Sequence, residues 1–156
     1  MINIAAVIDN LGPSQKSFYL VKEFNKSSSA RNLCTSVFFQ RAAIPVTGTL
    51  FSCRSISFLS GFHHNAIATT IGEANVLLKS NNAAKKFLYL WDLEWLRNPT
   101  HYDISSKILL DDRIHIIARS DEHAKMIDNF CNKMPIAVVD NWHLESLIKV
   151  VQDVGK

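Results

Sequence analysis

The stretch KKFLYLWDLEWLRNP, residues 85–99, sets Asp92 and Glu94 between Trp91 and Trp95 at the end of a short apolar run. Two neighbouring carboxylates can act as general acid and base when their surroundings split their proton affinities. Alternate residues of an extended chain share a face, so both carboxylates are expected to point one way. Tryptophans there can stack on a sugar or a base. The plainer alternative is that the carboxylates cap the next segment and the tryptophans are simply buried. The carboxyl end of a strand is where ligands gather in open α/β sheets, and that location favours a site.

The other chemistry-bearing groups are thinner. The loop Asp9-Asn10-Leu11-Gly12-Pro13-Ser14-Gln15 follows an apolar run and precedes a helix. Gly12 permits close backbone approach, and Asn10 and Ser14 offer polar groups beside a helix start. The loop lacks the spacing of a dinucleotide fingerprint or an ATP-type phosphate loop, so a tight capped turn is the competing reading. His123, in SDEH, falls in the first turn of a helix that Ser120 can cap, at another strand end. His63 and His64 are adjacent and would face opposite ways in an extended segment. His101, His115 and His143 show no metal-ligand spacing, and no metal site is expected. His115, between two isoleucines, reads as a histidine satisfied within the sheet. No nucleophile elbow is present. The three cysteines, Cys34, Cys53 and Cys131, sit among apolar neighbours, lack the Cys-x-x-Cys spacing and read as buried free thiols.

These residues need a frame, and hydrophobic patterning supplies one. Short apolar runs at 2–8, 33–40, 47–55, 66–71, 86–91, 113–119 and 135–140 read as strands. Helical patterns separate most of them. The first carries Phe18, Leu20, Val21 and Phe24 on one stripe, and the second ends at the pair Asn81-Asn82. A short helix capped by Asp103 follows, then one beginning at Ser120, and a last one carrying Leu144, Leu147, Ile148 and Val151. Strands alternating with helices predict one Rossmann-like α/β domain over residues 1–156. It has three layers, with a mostly parallel sheet of six or seven strands and helices on both faces. The 156 residues suffice for a core without disulfides.

Bulk properties exclude several classes. A net charge of +3, scattered along the chain, gives no nucleic-acid signal. No apolar run approaches the roughly 20 residues of a membrane span, and the first residues lack the basic region of a signal peptide. The expected setting is a reducing one, the cytoplasm.

The order of pieces resembles the N-terminal half of glycosyltransferases with the two-domain GT-B fold, especially family-4-like and rhamnosyltransferase-like members. In that family a strand ending Ala-Thr-x-Trp leads through a helix to a strand ending Gln-Asp-Tyr-Glu. The matching residues here are Ala68, Thr69 and Thr70, then Asp92 and Glu94. Ser120 matches a family serine, and Val139-Asp140-Asn141 stands in for a later turn. The resemblance spans residues 1 to 145. It departs from the family in having no glycine in VVDNWH and a single glycine in the first loop.

The resemblance implies an acceptor-side half that holds a sugar acceptor, with Asp92, Glu94 or His123 meeting its hydroxyl. Asn10, Gly12, Ser14, Trp91, Trp95 and Ser120 are the implied ligand contacts. No length remains for the domain that normally binds a nucleotide-sugar donor, so no cofactor is expected of this half alone, and a partner chain or homo-oligomer would supply the donor side. The alternative is a non-catalytic module retained for binding or assembly. A receiver domain is disfavoured because Asp9 has no acidic neighbour and no lysine follows a late strand. A flavin fold is disfavoured because DNLGPSQ is a poor phosphate loop.

Overall fold

A computed structural model describes residues 1–80 and 82–154. Its centre is one seven-stranded sheet of β1 (Ile2–Ile8), β2 (Leu33–Phe39), β3 (Ser52–Ser55), β4 (Asn65–Ala68), β5 (Lys86–Leu90), β6 (Ile114–Ala118) and β7 (Ala137–Val138). The order is β3-β2-β1-β4-β5-β6-β7, and every neighbouring pair is parallel. The helices are α1 (Gln15–Asn25), α2 (Ile71–Lys79), α3 (Glu94–Arg97), α4 (Tyr102–Leu109), α5 (Asp121–Cys131) and α6 (Leu144–Asp153).

The apolar runs follow from burial on both sheet faces, as expected of parallel strands under two helical layers. In β1, Ala5 and Val7 join the core beneath α2, α4 and α5, while Ile4, Ala6 and Ile8 join the core beneath α1 and α6. Each fully buried Leu or Ile of these cores contributes roughly 1.5–3 kcal/mol. The sequence pattern therefore reports the architecture well: one sheet, all strands parallel, helices on both sides.

The boundaries differ in instructive places. The run 66–71 is not all strand: β4 ends at Ala68, and Thr70 caps α2 by accepting the Glu73 N–H at 3.3 Å. Glu73 in turn accepts the Thr70 hydroxyl, so this N-cap outweighs β-branched propensity. α2 ends at Lys79 with Ser80 as its cap, and Asn81, expected at its end, lies outside the described residues. Of 47–55 only Ser52–Ser55 pair, because the sheet offers just the last four residues of β2 there. The last strand keeps two residues, beginning two beyond Pro135. Asp103 lies inside the first turn of α4 rather than capping it; a 3-10 turn, Pro99–His101, precedes that helix, and the Asn98 side chain caps the turn. Phe18 leaves the stripe of α1 and is exposed. Cys34 and Cys53 are exposed as well, contrary to the buried thiols expected, and Cys53 stands on the edge strand β3.

The last crossover closes through a tight turn. Asn141 and Trp142 both take positive φ, 43° and 62°. Trp142 is fully buried against Tyr89 and Phe24, with ring centroids 4.6 and 6.0 Å away. The Tyr89 hydroxyl donates to the Val139 carbonyl at 2.7 Å and accepts from the Trp142 N–H at 3.4 Å. Burial pushes this phenol up to about 12. These bonds hold a turn that bulky residues otherwise avoid.

Candidate functional site

The strand order reverses between β1 and β4, so their outgoing loops part and leave a crevice at their carboxyl ends. Two cavities open there and share Asp9. The first, about 550 Å³, is lined by Asp9, Asn10, Ser14, Lys16, Trp91, Asp92 and Arg97, among others. The second, about 430 Å³, is lined by Asp9, Gln40, Thr70, Glu73, Glu94 and His101, with Ile71, Gly72 and Ile104.

The first loop builds one wall. The Asn10 side chain accepts the Gly12 N–H at 2.9 Å and donates to Asp9 at 2.8 Å. A Cβ on Gly12 would stand 2.8 Å from Asn10 Oδ1, so this turn admits only glycine without rearrangement. Ser14 accepts the Ser17 N–H at 3.1 Å and caps α1, which brings Lys16 to the crevice. The Arg41 guanidinium grips Asp9 with two nitrogens, and this contact chiefly holds the Asp9 carboxyl below its ordinary range.

β5 delivers the other wall. Trp91 is 4% exposed, lies against Tyr19 and Tyr89, and carries the Arg119 guanidinium 3.9 Å from its ring centroid. Asp92 and Glu94 do not share an extended strand, contrary to the expectation from the sequence. The strand stops at Leu90, Asp92 lies in a bend, and Glu94 opens α3. The two carboxylates therefore enter different cavities. Asp92 faces the first, with Arg97 at 3.4 Å. Glu94 lines the second and accepts the Ile71 N–H at 2.9 Å, at the start of α2.

The carboxylates that share the second cavity with Asp9 are Glu94 and Glu73, and the Glu73 charge acts on Glu94. Burial pushes Glu73 above its ordinary value, against the Thr70 hydroxyl that draws it down. Burial likewise raises Glu94, opposed by the Ile71 N–H, and the nearby Glu73 charge adds to the rise. A carboxyl raised by burial beside a second carboxyl is a pattern that active sites use.

Of the residues the sequence singled out, Asn10, Ser14, Trp91, Asp92 and Glu94 line these cavities, and Gly12 shapes the loop beside them. Trp95, Ser120 and His123 line neither. Trp95 is buried in the opposite core, stacked on Phe130 at 4.4 Å. Ser120 caps α5 by accepting the His123 N–H at 3.2 Å. Sequence reasoning missed Lys16, Gln40, Glu73 and His101 as site residues, and it left Asp9 out of the site. The spacing Thr70-x-x-Glu73 carried a usable signal, a helix-start pattern at a strand end. Among the described residues, no group of three or more His, Cys, Asp or Glu could hold a metal ion, and no helix is long and apolar enough to cross a membrane.

The chain matches no family model, no curated protein and no solved structure.

Proposed function

We propose that this domain binds a hydroxyl-rich ligand, a sugar acceptor, in the crevice between β1 and β4, as the acceptor-side half of a glycosyltransferase-like assembly. The observation that carries the reading is the pair of cavities joined at Asp9 and lined by carboxylates, amides and hydroxyls. Vicinal sugar hydroxyls are recognised by such groups, each donating to a carboxylate or amide oxygen. Asp92 is the carboxylate in the first cavity whose side chain is substantially exposed, at 46%, and its bond to Arg97 is long. It is the group for an acceptor hydroxyl to meet, as hydrogen-bond acceptor or base. The nucleotide-sugar donor would be held by a partner chain or a second copy.

A second reading, a binding module without catalysis, is favoured by one observation. Glu94 and Glu73 spend their hydrogen bonds on the start of α2.

The test is a thermal-shift panel of free sugars, nucleotides and nucleotide-sugars on the wild type and Asp92→Asn. A ligand at 100 times its dissociation constant stabilises the fold by about 2.7 kcal/mol. A sugar that raises Tm in the wild type and not in Asp92→Asn supports acceptor binding, and transfer assays with a candidate donor then separate the two readings. No shift from any sugar overturns the acceptor reading and leaves the non-catalytic module.

A further inference from the structure

A hydrogen-bonded chain crosses the wall between the two cavities. Lys16 lines the first, and its ammonium donates to the Thr69 hydroxyl at 3.4 Å. Thr69 donates to Glu73 at 3.3 Å, and Glu73 lines the second cavity. Thr70 gives the same Glu73 oxygen a second hydroxyl. Thr69 and Glu73 are almost fully buried, at 2% and 4% exposure, so the chain passes through protein rather than along the surface.

The charges around Glu73 come from several elements. Asp9 faces it from the loop after β1, and Arg41 already neutralises Asp9. Glu94 faces it from α3, and His101, which precedes α4, acts on Glu94. Lys16, from α1, is the cation that acts on both glutamates. Among the described residues Lys16 makes no ion pair of its own. Its positive field thus helps keep Glu73 and Glu94 ionised in a wall where burial opposes their charge. An anion seated on Lys16 cancels that field, and the pair then regains neutrality most easily by protonation.

We propose that the two cavities are proton-coupled: an anionic group bound at Lys16 in the first draws a proton from water onto the Glu73–Glu94 pair in the second. The proposal rests on the crevice being a ligand site, and it adds that the ligand carries a phosphate-, sulfate- or carboxylate-type group. Arg97 lines the same cavity and is a second cation there, shared with Asp92 at 3.4 Å. One carboxylate oxygen gains an O–H bond, and the glutamate pair in the second cavity changes from accepting hydrogen bonds only to donating one. The anion in one lobe thereby selects an acceptor atom, an ether or carbonyl oxygen, in the other.

Sulfate is the probe, because its charge is constant across the range where carboxyls titrate. Isothermal titration into the wild type, in buffers of different ionisation heat, reads affinity and proton uptake together. Uptake of one proton makes binding about tenfold tighter for each unit fall in pH within the coupled window. Lys16→Met is expected to lose binding. Glu73→Gln is expected to bind sulfate while its pH slope flattens. Carbon-detected NMR of unliganded Lys16→Met gives a ligand-free check, with the Glu73 midpoint moving up. Failure of sulfate to bind, binding without proton uptake, or an unmoved Glu73 midpoint in Lys16→Met overturns the proposal. Neutral sugars that bind without coupling to sulfate would leave the acceptor reading standing, and coupled sulfate binding without any sugar would remove the acceptor reading alone.

Discussion

Glu73→Gln offers the sharpest examination of how the crevice is held together. Glu73 is buried in the wall of the second cavity, accepting from the Thr69 and Thr70 hydroxyls. Glutamine has nearly the same shape and keeps a carbonyl oxygen for both hydroxyls, so the substitution removes the charge and little else. Burial is the largest influence on this carboxyl and raises it above its ordinary value of 4.5. A raised folded-state value means that the folded chain binds the proton more tightly than the unfolded one. The favourable state is then present at low pH and is lost as pH rises through the folded value. Above that value wild-type Glu73 is a buried charge, and at the high-pH end of the measurement, about pH 7.5, the variant should be more stable by about 1 kcal/mol, at the low end of gains for replacing buried ionic groups. For a domain of this size that is about 2–4 °C in Tm. Near pH 4 wild-type Glu73 is neutral, and the advantage should vanish. Urea unfolding at both pH values, with unchanged m, measures the two differences. A variant less stable than wild type at pH 7.5 would refute the reasoning, because it would mean that Lys16 and the threonines outweigh desolvation.

Further outcomes follow from other contacts. Tyr89→Phe removes the hydroxyl that joins the Val139 carbonyl to the Trp142 N–H and should cost about 1–2 kcal/mol in urea unfolding. Glu23 is buried, and burial pushes its carboxyl up, but Lys26 and the Leu144 N–H outweigh this and leave it below its ordinary value. Glu23→Ala leaves the Leu144 N–H without its 3.1 Å acceptor, and about 2 kcal/mol should be lost at neutral pH. That difference should shrink as pH falls through the carboxylate range, because wild-type Glu23 becomes protonated; unfolding at stepped pH checks it. Cys34 and Cys53 should react promptly with a thiol reagent in the native protein and Cys131 more slowly, read by mass spectrometry over time.

The sheet was legible because parallel strands buried on both faces write themselves as apolar runs, and IleAsnIleAlaAlaValIle at 2–8 is the plainest example. The strand ends were less legible. At Thr69-Thr70-Ile71 three β-branched residues argue for strand, yet a hydroxyl cap and a reciprocal glutamate turn the chain into helix. That one misreading hid Glu73, which the sequence placed at the start of a helix but not as the partner of a Thr70 cap. At Trp91-Asp92-Leu93-Glu94 period-two reasoning assumed that the strand ran on, whereas it had stopped, so two carboxylates expected side by side enter separate cavities. Lys16 and Thr69, which carries the link on to Glu73, lie 53 positions apart along the chain and meet only through the order reversal between β1 and β4. No local pattern encodes that meeting.

The Glu23–Leu144 bond has a consequence for the order of folding. It ties residues 121 positions apart, and α1 and α6 together cover one face of the sheet. Contacts so distant in sequence form slowly, because a long loop must close before they contribute. Leu20, Val21 and Phe24 therefore stay uncovered on their α6 side until the segment 144–153 docks, however early β1, α1 and β2 have assembled. The face that forms last is an apolar one. Slow docking of α6 should thus be the step at which this chain is most exposed to aggregation.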